Sequence, residues 1–173
     1  MKKLLFICLM SLTGFAQDKF EYSKSGMTDY VVTEVPGTAA ENYQKVLKWI
    51  KENYKNPDEV IKTTIENELI RIEGFESKFH CVSSMGTQVC SGLRYYVDIK
   101  FKDGKINFDP IELKNENQAG SFAIPMNDLS IYYKSDGSIK KSYSESLDRT
   151  VSFLNTMNND ITTYIKVGKK NDW

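Results

Sequence analysis

The chain has 173 residues and balances 23 basic against 23 acidic side chains. Discounting Lys2 and Lys3, which fall in a leader expected to be removed, leaves 21 basic residues and a net charge of −2. That balance offers no general attraction for nucleic acid or an anionic membrane, and 10 Tyr, 9 Phe and 2 Trp argue against disorder.

Residues 1–16, MKKLLFICLMSLTGFA, combine two lysines, an apolar run from Leu4 to Met10 and small residues at Gly14 and Ala16. This is the plan of a secretory signal peptide cut ahead of Gln17, and its apolar run is too short to span a bilayer. Lipidation at Cys8 is the alternative, but Ile7 stands where a small residue is wanted. No later stretch approaches a membrane span, so the expectation is one exported domain, 17–173, periplasmic or secreted.

Gln17 to Asp29 reads as a polar lead-in. Tyr30 to Val35 is a β-rich run stopped by Pro36-Gly37. Thr38 and Glu41 have capping-box spacing, and Tyr43, Val46, Leu47, Ile50 and Tyr54 recur at helical intervals, ending near Asn56-Pro57. Val60–Ile65 and Leu69–Ile72 read as a hairpin about Glu66-Asn67-Glu68, a charged turn without the glycine and ligand spacing of a calcium loop. Gly74 marks an expected bend or bulge.

Cys81 and Cys90 remain once the leader is gone. A two-residue turn at Met85-Gly86 pairs 84 with 87 and so brings 81 opposite 90 at a non-hydrogen-bonded position, within bridging distance. Bridge and free thiols both remain open at this point. His80 adds one more potential metal ligand, but two Cys and one His lack a fourth at any recognisable spacing.

The strongest pattern runs from Leu93 to Ile111. Leu93, Tyr95, Val97, Ile99 and Phe101 alternate with Arg94, Tyr96, Asp98, Lys100 and Lys102, and Asp103-Gly104 supplies the turn. Folding there sets Phe101 against Ile106 and Ile99 against Phe108. A hairpin with one apolar and one charged face needs a helix or a second sheet on the apolar side, which predicts a layered domain. Residues 115–141 read as a surface excursion, with a small hairpin around Asp136-Gly137. Ser142 and Glu145 offer a second capping box, and Leu147, Val151, Leu154, Ile161 and Ile165 trace a final helix closed by Gly168.

The order of elements, YVVTEVPG, TAAENYQKVLKWIKENYKN, VIKTTIENELIRIEG, YYVDIKFKDGKINF, a last helix and a terminal DW, resembles a family of exported bacterial domains of unknown function with a TATA-binding-protein-like (TBP-like) fold. The resemblance covers Tyr30 to Phe108. It implies an α+β fold, a curved antiparallel sheet with helices on one face in the order β-α-β-β-β-β-α, and carries over no catalytic residues.

His80 is the only histidine, and nucleophile elbows, phosphate loops and dinucleotide fingerprints are missing from the sequence. No catalytic residue, cofactor or metal is therefore nominated. Tyr132, Tyr133 and Tyr143 form a candidate ligand surface. The expectation is a non-enzymatic binding or accessory module of the bacterial cell envelope, engaging an envelope protein or small ligand. The alternatives are a carboxylate-dependent hydrolase of envelope glycans, which needs an Asp or Glu pair in one cleft, and a purely structural subunit.

Overall fold

A computed structural model describes residues 18–84 and 86–168, with backbone only at 82–84. The expected signal segment, Met85 of the expected turn and the tail after Gly168 lie outside the described residues. A two-stranded piece, β1 (Tyr22–Ser23) and β2 (Gly26–Met27), precedes β3 (Val31–Glu34), α1 (Ala39–Asn53) and the short α2 (Pro57–Val60). Then come β4 (Ile61–Ile65), β5 (Leu69–Ser84), β6 (Thr87–Lys102), β7 (Lys105–Asn117), β8 (Gly120–Ala123) and α3 (Lys141–Val167). The main sheet is antiparallel and open, ordered β3-β7-β6-β5-β4, with β8 also on β7.

The alternation in β6 dictates the layers. Leu93, Tyr95, Val97, Ile99 and Phe101 are buried, and the register sets Phe101 on Ile106 and Ile99 on Phe108 as the turn geometry requires. α1 and α3 cover this face: Tyr43 meets Phe101 edge-on at 5.5 Å, and Val46, Ile50, Leu154 and Ile161 are fully enclosed. The hairpin turn also anchors α1. Asp103 Oδ1 accepts from the Ala39 N–H at 2.8 Å, beside the Thr38–Glu41 capping box, whose reciprocal bonds are both present. The Thr38 backbone N–H and hydroxyl hold the Glu41 carboxyl below its ordinary range.

Several expectations need correction. Gly74 is not a bulge: it pairs in register with Tyr95, and the β5 irregularity falls between Glu76 and His80, where Lys78 takes φ 54°. Residues 115–141 are not wholly an excursion, because β7 runs on to Asn117 and returns as β8. The lead-in is not loose. Phe20 is fully buried edge-on to Phe108 at 5.7 Å, and the Asn155 amide accepts from its N–H and donates to its carbonyl. α3 starts at Lys141 under Lys140 without a side-chain cap, so Ser142 and Glu145 do not box it. Gly168 does end it, at φ 76°, with its N–H on the Tyr164 carbonyl. The expected order gains β1, β2, α2 and β8. Among the described residues no helix is long and apolar enough to cross a membrane.

Candidate functional site

β4 pairs with β5 only as far as Ile61 opposite Ile72. Beyond that point no strand among the described residues pairs with the outer edge of β5, and the end of α1 and the start of α2, joined through residues 54–56, flank it. The result is an open cleft of about 660 Å³ lined by Tyr54, Asn56, Lys62, Phe75, Arg94 and Tyr95, among others.

Two glycines shape this cleft. Gly74 lies across from Tyr95, and a Cβ there would overlap the phenol; the missing side chain lets the ring fold over β5. Its hydroxyl sits 2.9 Å from that of Tyr54, and its ring stands 5.0 Å from Phe153. Burial pushes both phenols upward in pKa, Tyr95 strongly. Both therefore stay protonated and neutral at physiological pH. Gly92 does the same for Phe75, whose ring lies where a Cβ would stand and remains 48% exposed.

The charged lining is internally paired. Arg94 donates to Glu73 at 2.6 Å and to both Glu116 oxygens at 2.6 and 3.0 Å, and its guanidinium carbon lies 5.3 Å from the Phe75 centroid. Lys62 sits 3.0 Å from Glu73. Burial alone would raise Glu73, but hydrogen bonds from Lys62, Arg94 and Tyr96 outweigh it and hold the carboxyl below its ordinary value. Arg94 pulls Glu116 down in the same way. Across the rest of this open face Arg71 meets Asp98 at 2.6 Å and Lys100 meets Asp109 at 2.6 Å.

The candidates nominated from sequence lie elsewhere. Cys81 and Cys90 are disulfide-bonded across the β5–β6 hairpin with Cα atoms 4.0 Å apart. His80, beside Cys81 on that arm, has a buried Nδ1 without a hydrogen-bond partner. Among the described residues no group of three or more His, Cys, Asp or Glu is placed to hold a metal ion. Tyr132 and Tyr143 stack at 4.6 Å where the 115–141 segment meets α3, and Tyr133 bridges to Ile139. Neither Tyr54, Phe75 nor Tyr95 stood out in the sequence as more than an apolar position. The available signals were Gly74, which the register sets opposite Tyr95, and Gly92, which makes room for Phe75.

Two solved structures share this architecture. A DUF4468 family protein from Bacteroides ovatus is 15% identical at a TM-score of 0.65, covering 89% of this chain and 93% of its own. A TBP-like protein from Parabacteroides distasonis is 13% identical at 0.55, covering 76% of this chain and 87% of its own. The likeness establishes the fold, α+β and TBP-like, in agreement with the resemblance read from the order of elements. No family model matches the sequence, and no curated protein does.

Proposed function

We propose that this chain is an exported binding module of the cell envelope, released as residues 17–173, and that the cleft beside Tyr54 and Tyr95 receives a neutral small molecule of the saccharide type. One observation carries the reading: Phe75, 48% exposed, lines the same cleft as the polar groups of Tyr54, Asn56, Lys62 and Arg94. A sugar ring has the matching character, an apolar face edged by hydroxyls. The carboxylates whose titration is displaced, Glu41, Glu73, Glu116, Asp128 and Asp136, are all displaced downward. Of these only Glu73 lines the cleft, and a carboxyl held down by neighbouring cations is not the raised acid that a glycosidase uses. The cations Arg71, Arg94 and Lys100 each face a carboxylate, and a phosphate backbone would have to break those pairs. Tyr132, Tyr133 and Tyr143 offer a second aromatic surface within the same reading, outside the lining of the cleft.

The test is a titration with a soluble chito-oligosaccharide followed by amide NMR. Saturable shifts at Phe75, Gly92 and Arg94 that vanish in Phe75→Ala are expected. Titration without shifts would count against the site. Release of reducing ends that stops on Glu76→Gln, which removes another carboxylate of the cleft lining, would replace binding with hydrolysis.

A further inference from the structure

The arm formed by β5 and β6 outruns its neighbours. β7 pairs with β6 from Gly92, opposite Glu116, and then turns through Gln118 and Ala119 into β8. Thr87–Ser91 therefore has β5 on one side, and among the described residues no strand on the other. The space where the missing strand would run is a cleft of about 550 Å³ lined by all five of these residues together with Asn117, Gln118 and Ala119.

The direction of the backbone groups follows from the disulfide. Its Cα separation of 4.0 Å marks Cys81 and Cys90 as a non-hydrogen-bonded pair. In such a pair the N–H and C=O groups point away from the partner strand, so Cys90 and, two residues earlier, Gln88 direct theirs into the cleft. Gly92, next in that alternation, is where β7 pairs. The edge is thus a continuation of a ladder already in use, held in place by a covalent cross-strand clamp.

Edges of this kind are normally guarded by charge, proline or a bulge. Neighbouring edges here are guarded. β5 carries the irregularity between Glu76 and His80 with Lys78 at positive φ, and Arg149 donates to the Phe79 carbonyl. β7 has Pro110 at its own register shift. Thr87, Gln88, Val89, Cys90 and Ser91 contain no charge and no proline, and their register with β5 is regular. Val89 is 51% exposed, and the unpartnered Nδ1 of His80 belongs to the same cleft.

We propose that the β6 edge at Thr87–Ser91 is a strand-addition site for a short, uncharged, extended peptide segment of another protein. Main-chain bonds to Gln88 and Cys90 would hold it, with an apolar side chain opposite Val89. Five residues of edge accept a segment of roughly 17 Å. A second copy of this chain does not fit in the register that would engage the whole edge. Antiparallel self-pairing centred on Val89 would bring the second arm's turn, at Gly86, level with Gly92, a place that Glu116 occupies.

The probe is an acetylated, amidated Ser-Thr-Val-Thr-Ser peptide added to the oxidised full chain and followed by amide NMR. Saturation should shift the Gln88 and Cys90 amides and slow their exchange about tenfold or more. Gln88→Ala should bind as the native chain does, because it keeps the backbone donor. Gln88→Pro should lose binding while folding normally, since the N–H it removes faces the open edge. Methylating the nitrogens of both threonines in the peptide should also abolish binding. The proposal is overturned by millimolar peptide causing no shift, by binding that survives Gln88→Pro or methylation, or by a concentration-dependent dimer through Thr87–Ser91.

Discussion

Neighbouring residues of β6 live in opposite worlds. Ile99 is fully enclosed beneath the helices, while Lys100, one residue on, is exposed and reaches Asp109 across the open face at 2.6 Å. Both faces of the sheet are ordered, by different means. The covered face loses water through apolar packing, which is non-directional and strong per area. The open face is tiled with ion pairs; the exposed ones are worth little because water screens them and side-chain entropy opposes them, while Asp98 is buried beneath its two bonds from Arg71. Stability thus belongs to one face, and the other is free to carry recognition at its margins, where β4 and β7 end short of their partners.

The sharpest way to break this contrast is to mutate each face in turn. Ile99→Ala should cost about 2 to 5 kcal/mol in urea unfolding, since it opens a cavity under two helices. Replacing Cys81 and Cys90 together by Ser should cost at most roughly 3 kcal/mol, the closure entropy of so short a loop. The effect should be local: hydrogen exchange at Thr87–Ser91 should accelerate while that at Ile99 holds.

Acid should find the open face first. Glu73 and Glu116 titrate below their ordinary 4.5 when folded. Their contribution is therefore complete above that pH and is lost as pH falls through the lower, folded-state values. Urea midpoints should decline in that window for the native chain, and the decline should be shallower in Arg94→Met, which removes the cation responsible. The smallest effect expected is that of Lys100→Ala, about 0.5 kcal/mol and reduced further by high salt.

The legible part of this molecule is its short-range geometry. Alternation between Leu93 and Phe108, the two-residue turn, the Thr38–Glu41 box and the counting that opposed Cys81 to Cys90 all rest on spacings within a few tens of residues. What escaped depends on distant partners. Phe20 is buried because Asn155, 135 positions away, closes hydrogen bonds on its backbone. The continuation of β7 past Ile111 was hidden by a register shift: Val97 faces Pro110, but Tyr96 faces Glu112, which changes the phase of the alternation. The cleft is assembled from the α1–α2 junction, β4, β5 and β6, so no local pattern encodes it. Gly74 and Gly92, residues missing side chains where Tyr95 and Phe75 need room, left a trace.

The measurement that bears most directly on the binding reading is native mass spectrometry of the chain recovered from the periplasm of an expressing cell, for the native sequence and Phe75→Ala. The expected result is a polypeptide beginning at Gln17 that carries a reproducible small-molecule adduct, with the adduct missing from the variant. A bare native chain, or an adduct retained equally by Phe75→Ala, would contradict the assignment of binding to this cleft.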